Sequence, residues 1–311
     1  FHSRLRAVGP LPPAIVTALR SLPPATPMMD VMRSGASMLA HWDGDVADNG
    51  HDANVRTAER LLAQLPAVLA ARHRLAAGGE PVPPDAQRGL AANLLWMLSG
   101  RPPTPRAVKA MDVSLILYAE HEFNASTFTA RVVASTLSDL HSAVTAAIGA
   151  LKGPLHGGAN ERVMEVLLEV GGERNAERWV REALAAKRRI MGFGHRVYKS
   201  GDPRATYLKT LCGELARETG HEDLERTAEV IETKVRHEKN LPPNLDWPSA
   251  RLYHYLELPV ELYTPLFVVS RVAGWSAHVI EQLDDNRLIR PRSKYTGPAR
   301  RTFRPLAQRP S

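Results

Sequence analysis

Two histidines stand in glycine-rich turns, a single aspartate follows a pair of prolines, and an arginine interrupts an apolar run. His156 lies in Gly153-Pro154-Leu155-His156-Gly157-Gly158-Ala159-Asn160, just before a helical pattern. The glycines allow the backbone to come close to a ligand. A helix N-terminus disfavours the imidazolium, and a neutral imidazole can donate its N–H to a developing enolate oxygen. A turn or capping histidine is the plainer alternative. His195 lies in Met191-Gly192-Phe193-Gly194-His195-Arg196-Val197-Tyr198-Lys199, followed by Asp202-Pro203-Arg204. Glycine backbone at Gly192, Phe193 and Gly194 with Lys199 could meet an adenine nucleotide. No strand precedes this Gly-x-Gly, so it does not define a dinucleotide fold, and an inter-helix loop would read the same.

Asp246 closes Pro242-Pro243-Asn244-Leu245-Asp246 and precedes Trp247. Desolvation beside the ring would raise its pKa and make it a usable base; a helix cap is the alternative. Arg271 sits inside the apolar run Leu266 to Trp275. A buried guanidinium needs an anion, either an internal carboxylate or a substrate that it can grip bidentately. Arg204 and Arg290 are further anion anchors. Glu120-His121-Glu122 falls at a helix junction but lacks His-Glu-x-x-His spacing, so no metal site is expected. Together these groups suit proton abstraction beside a carbonyl in a polyanionic substrate, with no nucleophile–base pair.

The elements that must position them read as helices. Residues 55–77 carry Leu61, Leu62, Leu65 and Leu69 on one stripe, with Pro66 predicting a kink or a split. Thr104-Pro105, Asp139, Asp202-Pro203 and Thr264-Pro265 are helix starts; Gly153-Pro154 and Gly171-Gly172 are stops. Further helices follow Met28 and Gly158 and span residues 222–238. No long period-2 alternation occurs, so the expected class is all-α with few or no strands.

At 311 residues, 44% hydrophobic and 23% charged, the chain is globular, with room for two domains. One cysteine, Cys212, rules out an internal disulfide framework and reads as a small core residue. The net charge of +7 fits attraction of small anions; no nucleic-acid module accompanies it. No run of 18 apolar residues predicts a membrane span. No signal peptide is visible, and the opening Phe1 suggests a trimmed sequence.

Taken in order, the segments GPLHGGAN, GFGHRVYKSGDPR, PNLDW and TPLFVVSRVAGWSAHVIEQLDDNRLIRPRSKYTGP resemble the citrate synthase family, nearest its shorter bacterial citrate and 2-methylcitrate members. The resemblance implies a two-domain helical acyltransferase that converts the acyl group to an alkyl group on transfer. The large domain would comprise residues 1–155 and 252–311, and a mobile small domain residues 156–251. His156 would bind the thioester oxygen of acetyl-CoA, Asp246 would take the methyl proton, and His195 would polarise the oxaloacetate carbonyl. His121, Arg204 and Arg271 would hold oxaloacetate. Arg290 would reach the neighbouring site of a homodimer, and Gly192, Phe193, Gly194 and Lys199 would contact coenzyme A. The resemblance implies no cofactor beyond the coenzyme A thioester substrate, and a cytoplasmic enzyme. The family's first few dozen residues have no counterpart here. Propionyl-CoA in place of acetyl-CoA, and an inactive citrate- or CoA-binding paralogue, are the alternatives.

Overall fold

Capping residues and proline punctuation set the helices. Thr104, Asn124, Asp139 and Asp202 each accept a hydrogen bond from a first-turn amide, and Pro105 and Pro203 occupy first helical positions where no N–H is needed. In chain order the helices are α1 (His2–Ala7), α2 (Pro13–Ser21), α3 (Met28–Leu39), α4 (His51–Ala76) and α5 (Leu90–Ser99). Next come α6 (Pro105–Tyr118), α7 (Ala125–Ala134), α8 (Leu140–Leu151), α9 (Ala159–Val170) and α10 (Glu173–Ala185). The last four are α11 (Pro203–Thr219), α12 (Glu222–Lys239), α13 (Asp246–Tyr255) and α14 (Tyr263–Asp284). The structure, a computed structural model, describes residues 1–195 and 197–309. Among them the only β pairing is an isolated antiparallel bridge between Phe193 and Pro243, so the expected all-α class is observed.

The long apolar α14 forms the centre. It packs against α3, α4, α6, α7, α8 and α9, which explains a sequence hydrophobic on nearly every side. Leu266, Val268, Val269, Val272, Trp275 and Val279 are fully enclosed. A second group has α10 against α12, α11 against α13, and α9 against α13. Helix α11 also packs on α6, joining the two groups. Cys212 is buried, as read from the sequence. No described helix is long and apolar enough to cross a membrane.

Two local expectations need correction. Pro66 neither ends nor splits α4, which runs unbroken over 26 residues. Pro66 is itself buried, so tertiary packing holds the helix despite one lost N–H. Helix α14 begins one residue before Thr264-Pro265, because a 3-10 turn at Val260–Leu262 leads directly into it.

Candidate active site

Four connections bring the chemistry-bearing residues together. The α6–α7 junction carries His121, the turn before α9 carries His156, the loop before α11 carries His195, and the start of α13 carries Asp246. All four line one cavity of about 360 Å³, with Arg204 at the start of α11 and Arg271 on α14. Arg290 is exposed and does not line it, and Lys199 is exposed with its Nζ 3.4 Å from the His195 carbonyl.

His156 is fixed from α7. The Ser126 backbone N–H donates to its Nε2 at 3.2 Å, and Ser126 Oγ lies 2.8 Å away. An amide proton cannot relocate, so Nε2 holds a lone pair and the ring proton belongs on Nδ1. The capping alternative is thus partly right, since the ring satisfies a first-turn amide, but of α7 rather than α9. Burial pushes the His156 pKa down, and the Arg271 charge adds to this. Burial is the largest cause that favours the neutral ring. Gly157 is required here because a Cβ would run into the Leu151 carbonyl.

His195 is fixed the opposite way. Val197 and Tyr198 N–H donate to its Nδ1 at 3.0 and 3.1 Å, which leaves Nε2 as the donor. Burial lowers its pKa, opposed by Asp202 and reinforced by His121, Arg204 and Lys199. The His195 ring lies 5.1 Å from that of His121 and 4.7 Å from that of Tyr198. Burial and Arg204 lower the His121 pKa, and its Nε2 is buried with no hydrogen-bond partner among the described residues.

Asp246 does not cap α13. Its Oδ1 accepts from Tyr118 Oη at 2.7 Å, and its own N–H bonds Asn244 Oδ1. Burial raises its pKa, while Tyr118, Arg204 and Arg271 pull against that. Tyr118, buried beside this carboxylate, has its own pKa pushed well up and remains a donor. Asn244 ties the base to the glycine loop: its N–H bonds the Gly192 carbonyl and its Nδ2 the Gly194 carbonyl, both at 2.9 Å. Gly192 adopts φ +87° and packs so closely that a Cβ would lie 2.8 Å from Val163 and 2.9 Å from Trp247.

The two arginines differ. Arg204 forms a two-pronged pair with buried Asp202, at 3.0 and 2.8 Å, and stands over the Tyr198 ring. Asp202 also accepts from Leu245 N–H and so links this arginine to the Asp246 loop. Arg271 is 3% exposed and has no carboxylate partner among the described residues. Its Nε donates to the Tyr118 carbonyl at 2.7 Å, its guanidinium covers Phe267, and burial pushes its pKa down to about 10. No described acid forms an ion pair with it; Glu120 and Asp246 act on it only at longer range, and the cation faces the cavity.

A second cavity of about 180 Å³ adjoins the first and shares His156, Asn244 and Asp246 with it. Gly192, Phe193 and Gly194 form one wall and Leu155, Gly157 and Arg189 another. A substrate threaded through both would expose its junction atoms to His156 and Asp246 together. Among the described residues no cluster of His, Cys, Asp or Glu could hold a metal ion. Sequence reading missed Tyr118, Ser126, Asp202 and Asn244 as functional groups. The Ser126 and Asn124 spacing announces only a helix start, and Tyr118 meets Asp246 across 128 positions, a pairing no local pattern carries.

An all-helical chain places neutral imidazoles, a desolvated carboxylate and a buried arginine around one cleft. A family model described as citrate synthase, C-terminal domain, matches residues 1–292, and the chain belongs to the citrate synthase family. Citrate synthase 2 of Bacillus subtilis is 50% identical over 90% of this chain and 76% of its own length. The 2-methylcitrate synthase 2 of Corynebacterium glutamicum is 43% identical over 99% of this chain and 82% of its own. A solved ternary complex of carboxymethyl coenzyme A and oxaloacetate with citrate synthase from Thermoplasma acidophilum superposes with a TM-score of 0.88. It is 33% identical and covers 99% of this chain and 82% of that one. The chain is an enzyme of citrate synthase type.

Proposed function

We propose that this enzyme condenses acetyl-CoA with oxaloacetate and hydrolyses the resulting thioester to citrate and coenzyme A. The observation that carries this reading is the convergence of His156, His195 and Asp246 on a cavity also lined by Arg271, a buried cation with no ion-pair partner among the described residues. In the first step Asp246 takes a methyl proton while His156 donates its Nδ1–H to the thioester oxygen, so charge is stabilised as it forms. The enol carbon then attacks the oxaloacetate keto carbon. Its oxygen, polarised by His195 Nε2–H, receives that proton and becomes the citryl hydroxyl. Water finally cleaves the thioester and releases the thiol. Arg271, Arg204 and the unpartnered Nε2 of His121 would hold the two carboxylates. Gly192, Phe193, Gly194 and Lys199 would meet coenzyme A, and no cofactor is called for.

The same reading divides the chain into a larger domain, residues 1–155 and 252–311, and a smaller mobile one, residues 156–251. Its support is that His121 and Arg271 come from the first part and His156, His195, Arg204 and Asp246 from the second. Closure would then complete the cavity and expel water. Arg290, exposed on the segment after α14, would complete the neighbouring site of a homodimer. Both substrates are soluble anions, and we take the cytoplasm as the compartment.

The 43% identity to a 2-methylcitrate synthase favours one second reading, propionyl-CoA as the acyl donor. The two donors differ by one methylene, worth about 1–3 kcal/mol of discrimination. Thiol release with oxaloacetate and each acyl-CoA decides between them. A higher kcat/KM for acetyl-CoA is expected, a clear propionyl preference establishes the second reading, and no thiol release from folded enzyme refutes both.

A further inference from the structure

Arg271, Trp275 and His278 recur at four- and three-residue spacing along α14 and so share one helix face. That face meets the α6–α7 junction, the strap Ala119–Asn124 on which His121 rides. The last turn of α6 and the strap that follows it are docked onto α14. Ser270 Oγ donates to the Leu115 carbonyl and Arg271 Nε to the Tyr118 carbonyl, both in α6. The Gly274 N–H lies 3.0 Å from the Ala119 carbonyl, an approach that only glycine permits, because a Cβ would collide with that oxygen.

One turn further along stands His278, which the chemistry above does not use. Arg131 Nε donates to His278 Nδ1 at 3.0 Å. A guanidinium N–H cannot accept, so Nδ1 holds a lone pair and Nε2 carries the ring proton. Nε2 lies 3.0 Å from Glu120 Oε1 and donates to it. The His278 ring also meets Phe123 edge-on at 5.2 Å, and the Arg131 guanidinium lies over the Phe123 ring at 4.9 Å. His278 thus grips the strap on both sides of His121, through the carboxylate of Glu120 and the ring of Phe123. Between these grips Glu122 adopts φ +51°, a left-handed conformation costly for a side chain-bearing residue. Such a turn persists only where its surroundings hold it.

We propose that His278 is a positioning residue for the dicarboxylate pocket: through Glu120 and Phe123 it holds the strap so that His121 presents its unpartnered Nε2 to the substrate. The side chain of His278 is 14% exposed while that of Glu120 is 51% exposed, so the anchor is the buried partner and the strap the held one. The role rests on the assignment of His121 to oxaloacetate made above. It touches no reacting atom, and it concerns one substrate and not the other.

His278→Leu and His278→Gln separate positioning from bulk. Glutamine can accept from Arg131 with its carbonyl and donate to Glu120 with its amide, whereas leucine does neither. Oxaloacetate affinity, measured calorimetrically on the intact enzyme, and KM for each substrate are the readouts. His278→Leu is expected to weaken oxaloacetate binding about tenfold, as loss of one such hydrogen bond to a charged group implies. KM for the acyl-CoA should stay within about twofold, and His278→Gln should recover most of the loss. Unchanged oxaloacetate affinity in His278→Leu overturns the proposal, as does an equal rise in both KM values or a failure of His278→Gln to recover. Should His278→Leu not fold, Glu120→Ala, which leaves His278 Nε2–H without its acceptor, tests the same link, and unchanged affinity there overturns it as well. His121→Ala serves as the reference. If it too leaves oxaloacetate binding intact, the pocket assignment has failed; if it weakens binding while His278→Leu does not, only the positioning role has.

Discussion

Replacing Tyr118 by phenylalanine isolates what the protein does to its proposed base. Tyr118 Oη sits 2.7 Å from Asp246 Oδ1 and is the one side chain among the described residues that donates to that carboxylate. The bond favours the charged form, against burial, which disfavours it. A hydrogen bond to a charged group is worth roughly 1.5–3 kcal/mol, and one pKa unit corresponds to about 1.4 kcal/mol. Loss of the phenol oxygen should therefore raise the Asp246 pKa by about one to two units. Because only the carboxylate can accept the methyl proton, the acid limb of the pH profile of kcat/KM should move to higher pH by that amount. Activity well above the new limb should approach that of the parent, since Arg204 and Arg271 still act on the carboxylate. Ser249, 2.6 Å from Tyr118 Oη, retains a second contact at the Asp246 carbonyl, so the fold should survive. The assay is initial-rate thiol release across pH with the oligomer checked by light scattering. An acid limb that stays put, or moves down, in a folded Tyr118→Phe enzyme would refute the reasoning.

Three further outcomes follow from the same geometry. Asp246→Asn should lower kcat by about 10²–10⁴ and leave oxaloacetate affinity intact; near-normal turnover would remove it as the base. Its folded pKa lies above the unfolded value, so ionised Asp246 subtracts stability at every pH above that unfolded value, and the Asn variant should melt no lower than the parent at pH 7. Arg271→Leu should weaken oxaloacetate binding at least about 30-fold, from the roughly 2–5 kcal/mol of a buried charge pair, yet raise the melting temperature of the ligand-free enzyme, because it removes a buried cation that forms no ion pair with the described residues. Gly192→Ala should cost about 1–3 kcal/mol by denaturant titration and raise KM for acyl-CoA more than for oxaloacetate, since a Cβ there meets Val163 and Trp247.

What the sequence disclosed, and what it withheld, divides along the range of the interactions. Helix starts were legible because capping is local: Thr104, Asp139 and Asp202 cap as their spacing predicts. The glycine turns around His156 and His195 were legible because a positive φ or a close approach leaves its mark on residue type. That Pro66 would not split α4 was not legible, since the burial that sustains the helix across it is a tertiary matter. The partners that tune the site were not readable at all. Ser126 reaches His156 across 30 positions, His278 reaches Glu120 across 158, and Arg204 is engaged by Asp202 only because α11 starts where it does. The tautomers of His156 and His195 are set by backbone amides, which no sequence motif records.

If His156 and Asp246 enolise a thioester held between the two adjoining cavities, that step can be watched on its own. Exchange of the acyl-CoA methyl protons in D2O, followed by NMR with a saturating dicarboxylate that lacks the electrophilic carbonyl, observes that step without the condensation that follows. The parent enzyme should exchange those protons, and Asp246→Asn and His156→Ala should not. Equal exchange in the Asp246→Asn enzyme, or none in a parent enzyme that releases thiol with oxaloacetate, would contradict it.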